Sequence, residues 1–272
     1  MQTKQKNLIV IVGPTAIGKT SLAINLAKNY NAEIISADSR QFFKEMNIGT
    51  AKPTPEELAL VKHHFVDFIS IQERYTAGQF EKEAIDKLDV LFKEFDIIIM
   101  AGGSGLFVDA VCKGIDEIPA DIEIRNQLNE ELNVNGIDSL QEELKTVDPE
   151  IWKTINQKNP QRLVRALEVY RATGKPYSSF RKHQPKERNF NIIKIGLNTE
   201  REIVYERINK RVDLMLKEGL LDEVKSLIPY KNLNALNTVG YKEYFKYFEG
   251  ELNLGEATEL LKKNTRNFAK RQ

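Results

Sequence analysis

At 272 residues the chain has room for about two domains of the usual size, or one large domain carrying an insertion. Hydrophobic residues make up 41% and charged residues 29%, with 15 Gly and 9 Pro, which excludes disorder, collagen-like repeats and low complexity; Lys plus Arg (40) against Asp plus Glu (39) leaves a net charge that selects no partner. The single cysteine, Cys112, excludes an internal disulfide and a multi-cysteine zinc site and favours a reducing compartment.

The predicted elements follow in chain order. Leu8 to Val12 reads as a strand, and with Ile97 to Ala101 it is the longest apolar run, about a quarter of a bilayer span. Lys4 and Lys6 precede too short an apolar stretch for a signal peptide, so the expectation is a cytoplasmic protein with no membrane association. Ser21 to Tyr30 is a helix with Leu22, Ala23, Leu26 and Ala27 on one side, and Glu33 to Ser36 a second strand. Thr76 to Phe95 opens on a cap and lines up Phe80, Ala84, Leu88 and Leu91, so it reads as a crossover helix to the strand Asp96 to Ala101. A turn at Gly102, Gly103 and Gly105 leads into a helix over Leu106 to Cys112.

From Pro119 to about Lys186 only helical patterns occur, at Ile122 to Leu132, Ser139 to Lys145, Pro149 to Ile155 and Pro160 to Thr173, with Trp152 read as core. Phe190 to Leu197 returns to strand, followed by helices at Glu200 to Lys217, Leu220 to Leu227, Lys242 to Tyr247 and Gly255 to Lys270. The expected fold is α/β: a P-loop NTPase-like parallel sheet flanked by helices, with a helical insertion domain. The divisions are 1–114 for the first part of the core, 115–188 for the insertion, and 189–272 for the second part of the core with its C-terminal helices.

Gly13-Pro14-Thr15-Ala16-Ile17-Gly18-Lys19-Thr20 fits G-x-x-x-x-G-K-[ST] between a strand and a helix. Backbone N–H groups, a helix N-terminus, a Lys charge and a Thr hydroxyl able to hold Mg²⁺ suit a di- or triphosphate. Gly13, Thr15, Ala16, Ile17, Gly18, Lys19 and Thr20 are therefore the candidate diphosphate-binding residues, with Thr20 the metal ligand.

Ligands of open parallel sheets sit beyond the carboxyl ends of the strands, which brings Asp38, at the end of strand two, and Ser104, after strand Asp96 to Ala101, to the same edge. Asp38 has three competing roles: base, Mg²⁺ ligand and cap. His63 and His64 would point to opposite faces of a strand and cannot chelate together, and His183 stands alone. Basic residues gather at Gln161 to Arg165 and over Lys262 to Gln272, which carries five positive charges and no acid. A polyanion and a solvated helix end explain that tail equally well.

Several motifs taken together resemble the tRNA dimethylallyltransferase family, in which a P-loop fold binds dimethylallyl diphosphate. They are the phosphate loop; Ser36-Ala37-Asp38-Ser39-Arg40-Gln41; Ile48-Gly49-Thr50-Ala51-Lys52-Pro53; Gly102-Gly103-Ser104; Asn159-Pro160-Gln161-Arg162 with Arg165-Ala166-Leu167-Glu168-Val169; Val239-Gly240-Tyr241; and Thr265-Arg266 with Ala269-Lys270-Arg271-Gln272. They run in family order over essentially the whole chain.

The resemblance implies transfer of a five-carbon prenyl group to the exocyclic amine of the adenosine 3′ of the anticodon, with Mg²⁺ as cofactor, the tRNA anticodon stem-loop and dimethylallyl diphosphate as partners, and a monomeric enzyme. By motif, Asp38 would accept the proton, Lys19 and Thr20 would hold diphosphate and Mg²⁺, Ser104 would meet the leaving-group oxygen, and Arg211 would reach the diphosphate. Asp38, Ser39, Arg40, Gln41, Ser104, Arg125, Gln161, Arg162, Leu163, Val164, Arg165, Gly240 and Arg266 would face tRNA. Ser104 stands where many members have Thr, Asn47 replaces a usual acid, and the family normally continues past Gln272 with a Thr-Trp segment that supplies further tRNA contacts.

Adenine's amine is a poor nucleophile, so a carboxylate that takes its proton suits the reaction, and the base must leave its stack to reach it. Three other readings share the phosphate loop: a small-molecule or nucleotide kinase, a prenyltransferase of free adenine nucleotides, and a GTP switch. The last lacks its N-K-x-D motif, since Asn209-Lys210-Arg211-Val212-Asp213 places the Asp one position late.

Overall fold

The structure, a computed structural model, describes residues 5–182 and 184–272, so Lys4 and His183 lie outside the described residues. It divides into two compact units: one runs to Lys113 and resumes at Glu187, and the other is Gly114–Lys186.

The first unit is built on a 5-stranded sheet in the order β3-β2-β4-β1-β5, with every pairing parallel. The strands are β1 (Asn7–Val12), β2 (Ile34–Ser36), β3 (His63–His64), β4 (Ile97–Ala101) and β5 (Asn191–Gly196). Connecting helices are α1 (Lys19–Tyr30), α2 (Pro55–Leu60), α3 (Ala77–Glu94) and α4 (Gly105–Lys113).

Alternation along β1 sends Leu8 and Val10 into one core and Ile9 and Ile11 into another, the latter with Ala23, Ile24 and Ala27 of α1. A sheet buried on both faces explains why its central strands are uninterrupted apolar runs. The face of α3 expected from the sequence is the buried one, with Phe80, Ala84, Leu88 and Leu91 inside. Thr76 and Gln79 close a capping box at its start.

Two elements stood outside the sequence reading. α2 starts in a capping box, Thr54 with Glu57, and has Pro55 in its first turn. The two-residue β3 pairs Ile34 with His63 and Ile35 with His64 at the sheet edge. His64 Nε2 lies 2.5 Å from a Glu33 carboxylate oxygen and His63 Nδ1 lies 2.8 Å from the Val61 carbonyl oxygen, so each histidine is engaged separately.

The second unit consists of α5 (Ile122–Asn135), α6 (Ile137–Val147), α7 (Pro149–Trp152) and α8 (Pro160–Thr173). Its core joins Leu128, Leu140, Leu144, Ile151, Leu163 and Leu167, with Trp152 packed partly buried against them. α7 stops at Trp152, short of the expected Ile155. The first unit is completed by α9 (Arg201–Lys217), α10 (Leu220–Ser226), α11 (Lys242–Phe248) and α12 (Leu254–Ala269). No helix among the described residues is long and apolar enough to cross a membrane.

Candidate active site

Because β2, β4 and β1 are neighbours, the segments leaving their carboxyl ends meet: the phosphate loop after β1, residues 37–41 after β2, and the turn 102–104 after β4. The last two are joined directly. The Ser104 amide donates to the Ala37 carbonyl at 3.2 Å, the Ser39 amide donates to Ser104 Oγ at 3.0 Å, and the two serine hydroxyls share a 3.0 Å hydrogen bond. Gly102 is required at this crossing, since a Cβ there would lie 2.2 Å from the Ala37 backbone. Phe42, which follows Gln41, sits in an aromatic cluster with Phe68, Tyr75, Phe80 and Phe107, with centroids 5.4–5.5 Å away. That cluster anchors the segment carrying Asp38.

In the phosphate loop, Ile17 is buried against Val204 and Ile208 of α9 and fixes the loop's middle. Ala16 takes a left-handed φ of 63°, a conformation uncommon for a residue with a Cβ. Lys19 Nζ donates to the carbonyls of Gly13 at 2.8 Å and Pro14 at 2.9 Å. Burial lowers the Lys19 ammonium to about 8; Asp38 opposes that fall and Arg211 adds to it. Arg211 reaches the loop from α9, with Nη1 3.5 Å from Thr15 Oγ1. At the chain's end, Gln272 Oε1 accepts the Thr15 amide at 2.7 Å and its Nε2 donates to the Gly103 carbonyl at 2.8 Å.

Asp38 stands between two cavities. One, of about 700 Å³, is lined by Thr15, Ala16, Gly18, Lys19 and Thr20 together with Ile48, Leu214 and Met215. The other, of about 920 Å³, is lined by Ser39, Arg40, Ser104, Leu106, Val239, Gly240, Phe268 and Arg271. Thr15, Asp38, Thr50, Ala51, Gly102, Gly103, Arg211 and Met215 line both, and mark the neck where the two cavities adjoin. Asp38 Oδ1 accepts the Arg40 amide at 3.0 Å, and the Gln41 amide also favours the charged carboxylate. Burial pushes the Asp38 carboxyl above the usual carboxylate range; the Arg40 amide and the Lys19 charge pull the other way. The turn's amides thus hold the carboxylate in place while it lines both cavities.

The remaining residues singled out for RNA fare differently. Gln41 Nε2 holds the carbonyls of Thr50 at 3.3 Å and Ala51 at 3.0 Å, and Arg40 Nη1 donates to the carbonyls of Asn234 and Ala235 at 3.2 and 2.9 Å. Arg40 is therefore committed to the protein backbone although it lines the second cavity. Gly240 lines that cavity too. Arg266 is held by Asn209 Oδ1 at 2.7 Å and lies over the Tyr205 ring, as does Lys270.

In the second unit, Gln161 and Arg162 are exposed, and Arg125 and Arg165 both pair with the fully buried Glu168, at 2.8 and 3.0 Å. Leu163 and Val164 correct the sequence reading. Both are buried in that unit's core, because the 100° turn per helical residue sends positions 163, 164 and 167 inward while 161, 162 and 165 face out. Sequence reasoning also passed over Met215, although it follows Arg211 by four residues and so shares its helix face.

A parallel sheet whose first strand feeds a glycine-bounded loop and helix, with a carboxylate just past a neighbouring strand's end, defines a P-loop-like α/β protein. Comparison with known proteins makes the class specific: residues 41–272 match the model of the IPP transferase family, to which this chain belongs. It is 56% identical over 266 residues to a tRNA dimethylallyltransferase of Christiangramia forsetii, covering 97% of this chain and 88% of that protein. The full-length tRNA isopentenylpyrophosphate transferase of Bacillus halodurans superposes with a TM-score of 0.69 at 37% identity, covering 99% of this chain and 86% of that one. A eukaryotic dimethylallyltransferase acting on tRNA gives a TM-score of 0.78 at 28% identity, covering 98% of this chain and 68% of that one.

Proposed function

We propose that this chain transfers the dimethylallyl group of dimethylallyl diphosphate to the exocyclic N6 amine of the adenosine 3′-adjacent to the anticodon in tRNA, releasing diphosphate. The observation that carries the reading is Asp38 at the neck of two cavities, one lined by the phosphate loop and the other by basic and aromatic side chains of α12's end. Family membership supports a transferase and gives no support to the kinase or GTP-switch readings.

In this reaction the bond from the prenyl C1 to the diphosphate oxygen breaks and a bond from C1 to N6 forms. The N6 proton passes to Asp38 Oδ2, and the electron pair leaves with diphosphate. A carboxyl already raised by burial lies closer to the operating pH, which suits a general base. Lys19, Arg211 and the loop amides meet the charge that builds on the leaving oxygens. Ser104 Oγ, now turned to Ser39, would meet the oxygen being released. Lys19 must exchange its bonds to the Gly13 and Pro14 carbonyls for the donor's phosphates.

The donor set also fits Mg²⁺. No group of three or more His, Cys, Asp or Glu that could cage a metal occurs among the described residues, and Mg²⁺ bound to a diphosphate needs little more than one hydroxyl or carboxylate and its waters. Thr20 would supply that hydroxyl, and the ion would neutralise charge on the leaving group. On the RNA side, Arg162, Gln161 and Arg165 on α8 and Arg266 on α12 would meet phosphates, with a monomer sufficient for one anticodon stem-loop. Incubation with tRNA and either prenyl-labelled dimethylallyl diphosphate or γ-labelled ATP tests the reading. Prenyl label in RNA is expected, and phosphoryl label in RNA with none from the prenyl donor would sink it.

A further inference from the structure

The motifs Ile48-Gly49-Thr50-Ala51 and Val239-Gly240-Tyr241 lie far apart in sequence and have no separate task in the chemistry above. A single carboxylate joins them. Glu223, on α10, accepts three successive backbone amides: Asn47 at 3.1 Å and Ile48 at 2.8 Å on Oε2, and Gly49 at 3.0 Å on Oε1. The fully buried Tyr241 donates its hydroxyl to the same Oε1 at 2.7 Å. The Tyr241 ring presses on Gly49 so closely that a Cβ there would lie 2.6 Å from it, so only glycine fits.

Four donors on one carboxylate saturate it, and charge-assisted bonds of this kind are about twice as strong as neutral ones. Glu223 therefore serves the protein and offers no free oxygen to a substrate. What it holds is the matter of interest. Thr50 and Ala51, the next residues along, line both cavities with Asp38, and their carbonyls accept Gln41 Nε2, three residues from Asp38. An unbroken set of contacts thus runs from Tyr241, beside the second cavity, through Glu223 and residues 47–51 to the segment that carries the base.

We propose that Glu223 is a positioning residue for prenyl transfer: by strapping residues 47–49 to Tyr241 it sets the width of the neck in which the amine, the prenyl carbon and Asp38 must align. The inference rests on the prenyl-transfer reading above. Reactions that depend on alignment lose about a hundredfold for misplacement of about 1 Å.

Two measurements on the full chain test it. In Glu223→Gln a carboxamide offers one acceptor oxygen in place of two and turns an NH₂ toward amide donors. Hydrogen exchange at Asn47, Ile48 and Gly49 is expected to speed up by about tenfold or more. Single-turnover transfer at saturating tRNA and dimethylallyl diphosphate is expected to fall by about tenfold to a hundredfold, with the affinity for the diphosphate donor unchanged. Glu223→Asp keeps both oxygens and recovers part of the rate, a rescue that lost stability alone does not give. Parental protection of the three amides in Glu223→Gln overturns the strap, whatever the reaction. Faster exchange with a parental transfer rate overturns the positioning role. A parent chain that moves no prenyl group at all overturns the reaction reading, and the positioning role falls with it.

Discussion

Replacing Asp38 by Asn separates the three roles that meet at this residue. Asn keeps an oxygen at the position of Oδ1, so the 3.0 Å bond from the Arg40 amide, and with it the turn, is preserved. What disappears is the charge and the proton-accepting Oδ2, and loss of a general base predicts a fall in turnover of about 10² to 10⁴. The stability change has a definite sign. The folded-state pKa of Asp38 is raised, so the native protein binds the proton more readily than the unfolded chain, and the charged form costs stability at neutral pH. Asn removes that cost, and the melting temperature is expected to hold or rise. Asp38 also raises the Lys19 pKa, so without it Lys19 titrates lower still, and the assay belongs at saturating donor. The parent's single-turnover rate should decline as pH falls through the raised Asp38 pKa, and the residual rate of the Asp38→Asn protein should lack that limb. Near-normal turnover in a folded Asp38→Asn protein would refute the mechanism; recovery at high Mg²⁺ would assign a metal role, and intact chemistry in Asp38→Asn with a melting temperature lowered only in Asp38→Ala, which also loses the oxygen facing the Arg40 amide, would assign a cap.

Lys19→Ala is expected to abolish transfer by weakening donor binding, while tRNA affinity survives; a filter-binding and a turnover assay on the same preparation check both halves. Because the free-state Lys19 pKa lies at about 8 and a bound diphosphate favours its charged form, donor affinity should be strongest below that pH and weaken by up to about tenfold per pH unit above it. Calorimetry showing flat affinity from about pH 7 to about pH 9 would contradict this. On α8 neighbouring residues should behave oppositely: Arg162→Ala should make the log-log salt dependence of tRNA binding shallower by about 0.7 to 0.9 without loss of stability. Leu163→Ala should cost about 2–5 kcal/mol in the second unit and leave the salt slope alone.

How much of this was legible in the sequence differs from element to element. β1, the phosphate loop and α1 were readable because a β-branched run, a glycine-bounded loop and helical spacing follow each other within a few residues. α3 was readable from Thr76 onward because its cap and its buried face obey the same period. α2 had an equally local signal in Thr54, Pro55 and Glu57, but six residues with no buried side chain give no periodicity to support it. Leu163 and Val164 show the converse error, a contiguous motif taken as one surface where the helix splits it between core and solvent. The Glu223 strap had no local signal whatever, since the three amides it accepts are 174 to 176 residues away in the chain and Tyr241 is 18 residues away. The charge of the tail was ambiguous until geometry separated its members: Lys262 is tied to Asp213 at 2.9 Å, whereas Arg266 and Lys270 lie over Tyr205 and Arg271 over Phe268.

The aromatic cluster around Phe42 bears on how loss of function in this enzyme is diagnosed. Phe80 comes from a helix on the flank of the sheet, and Phe107 from the helix that follows Ser104, yet both rings seat the residue next to Gln41. A random-mutagenesis screen scored only on modified tRNA would therefore collect substitutions at Phe80 and Phe107 beside those at Asp38 and Lys19, and would draw the catalytic map too wide. Their signature would be thermal: a ring-deleted variant loosens its hold on the Asp38 segment as temperature climbs, so its activity would drop away well before the fold melts, while an Asp38 variant is slowed to a similar degree at every temperature.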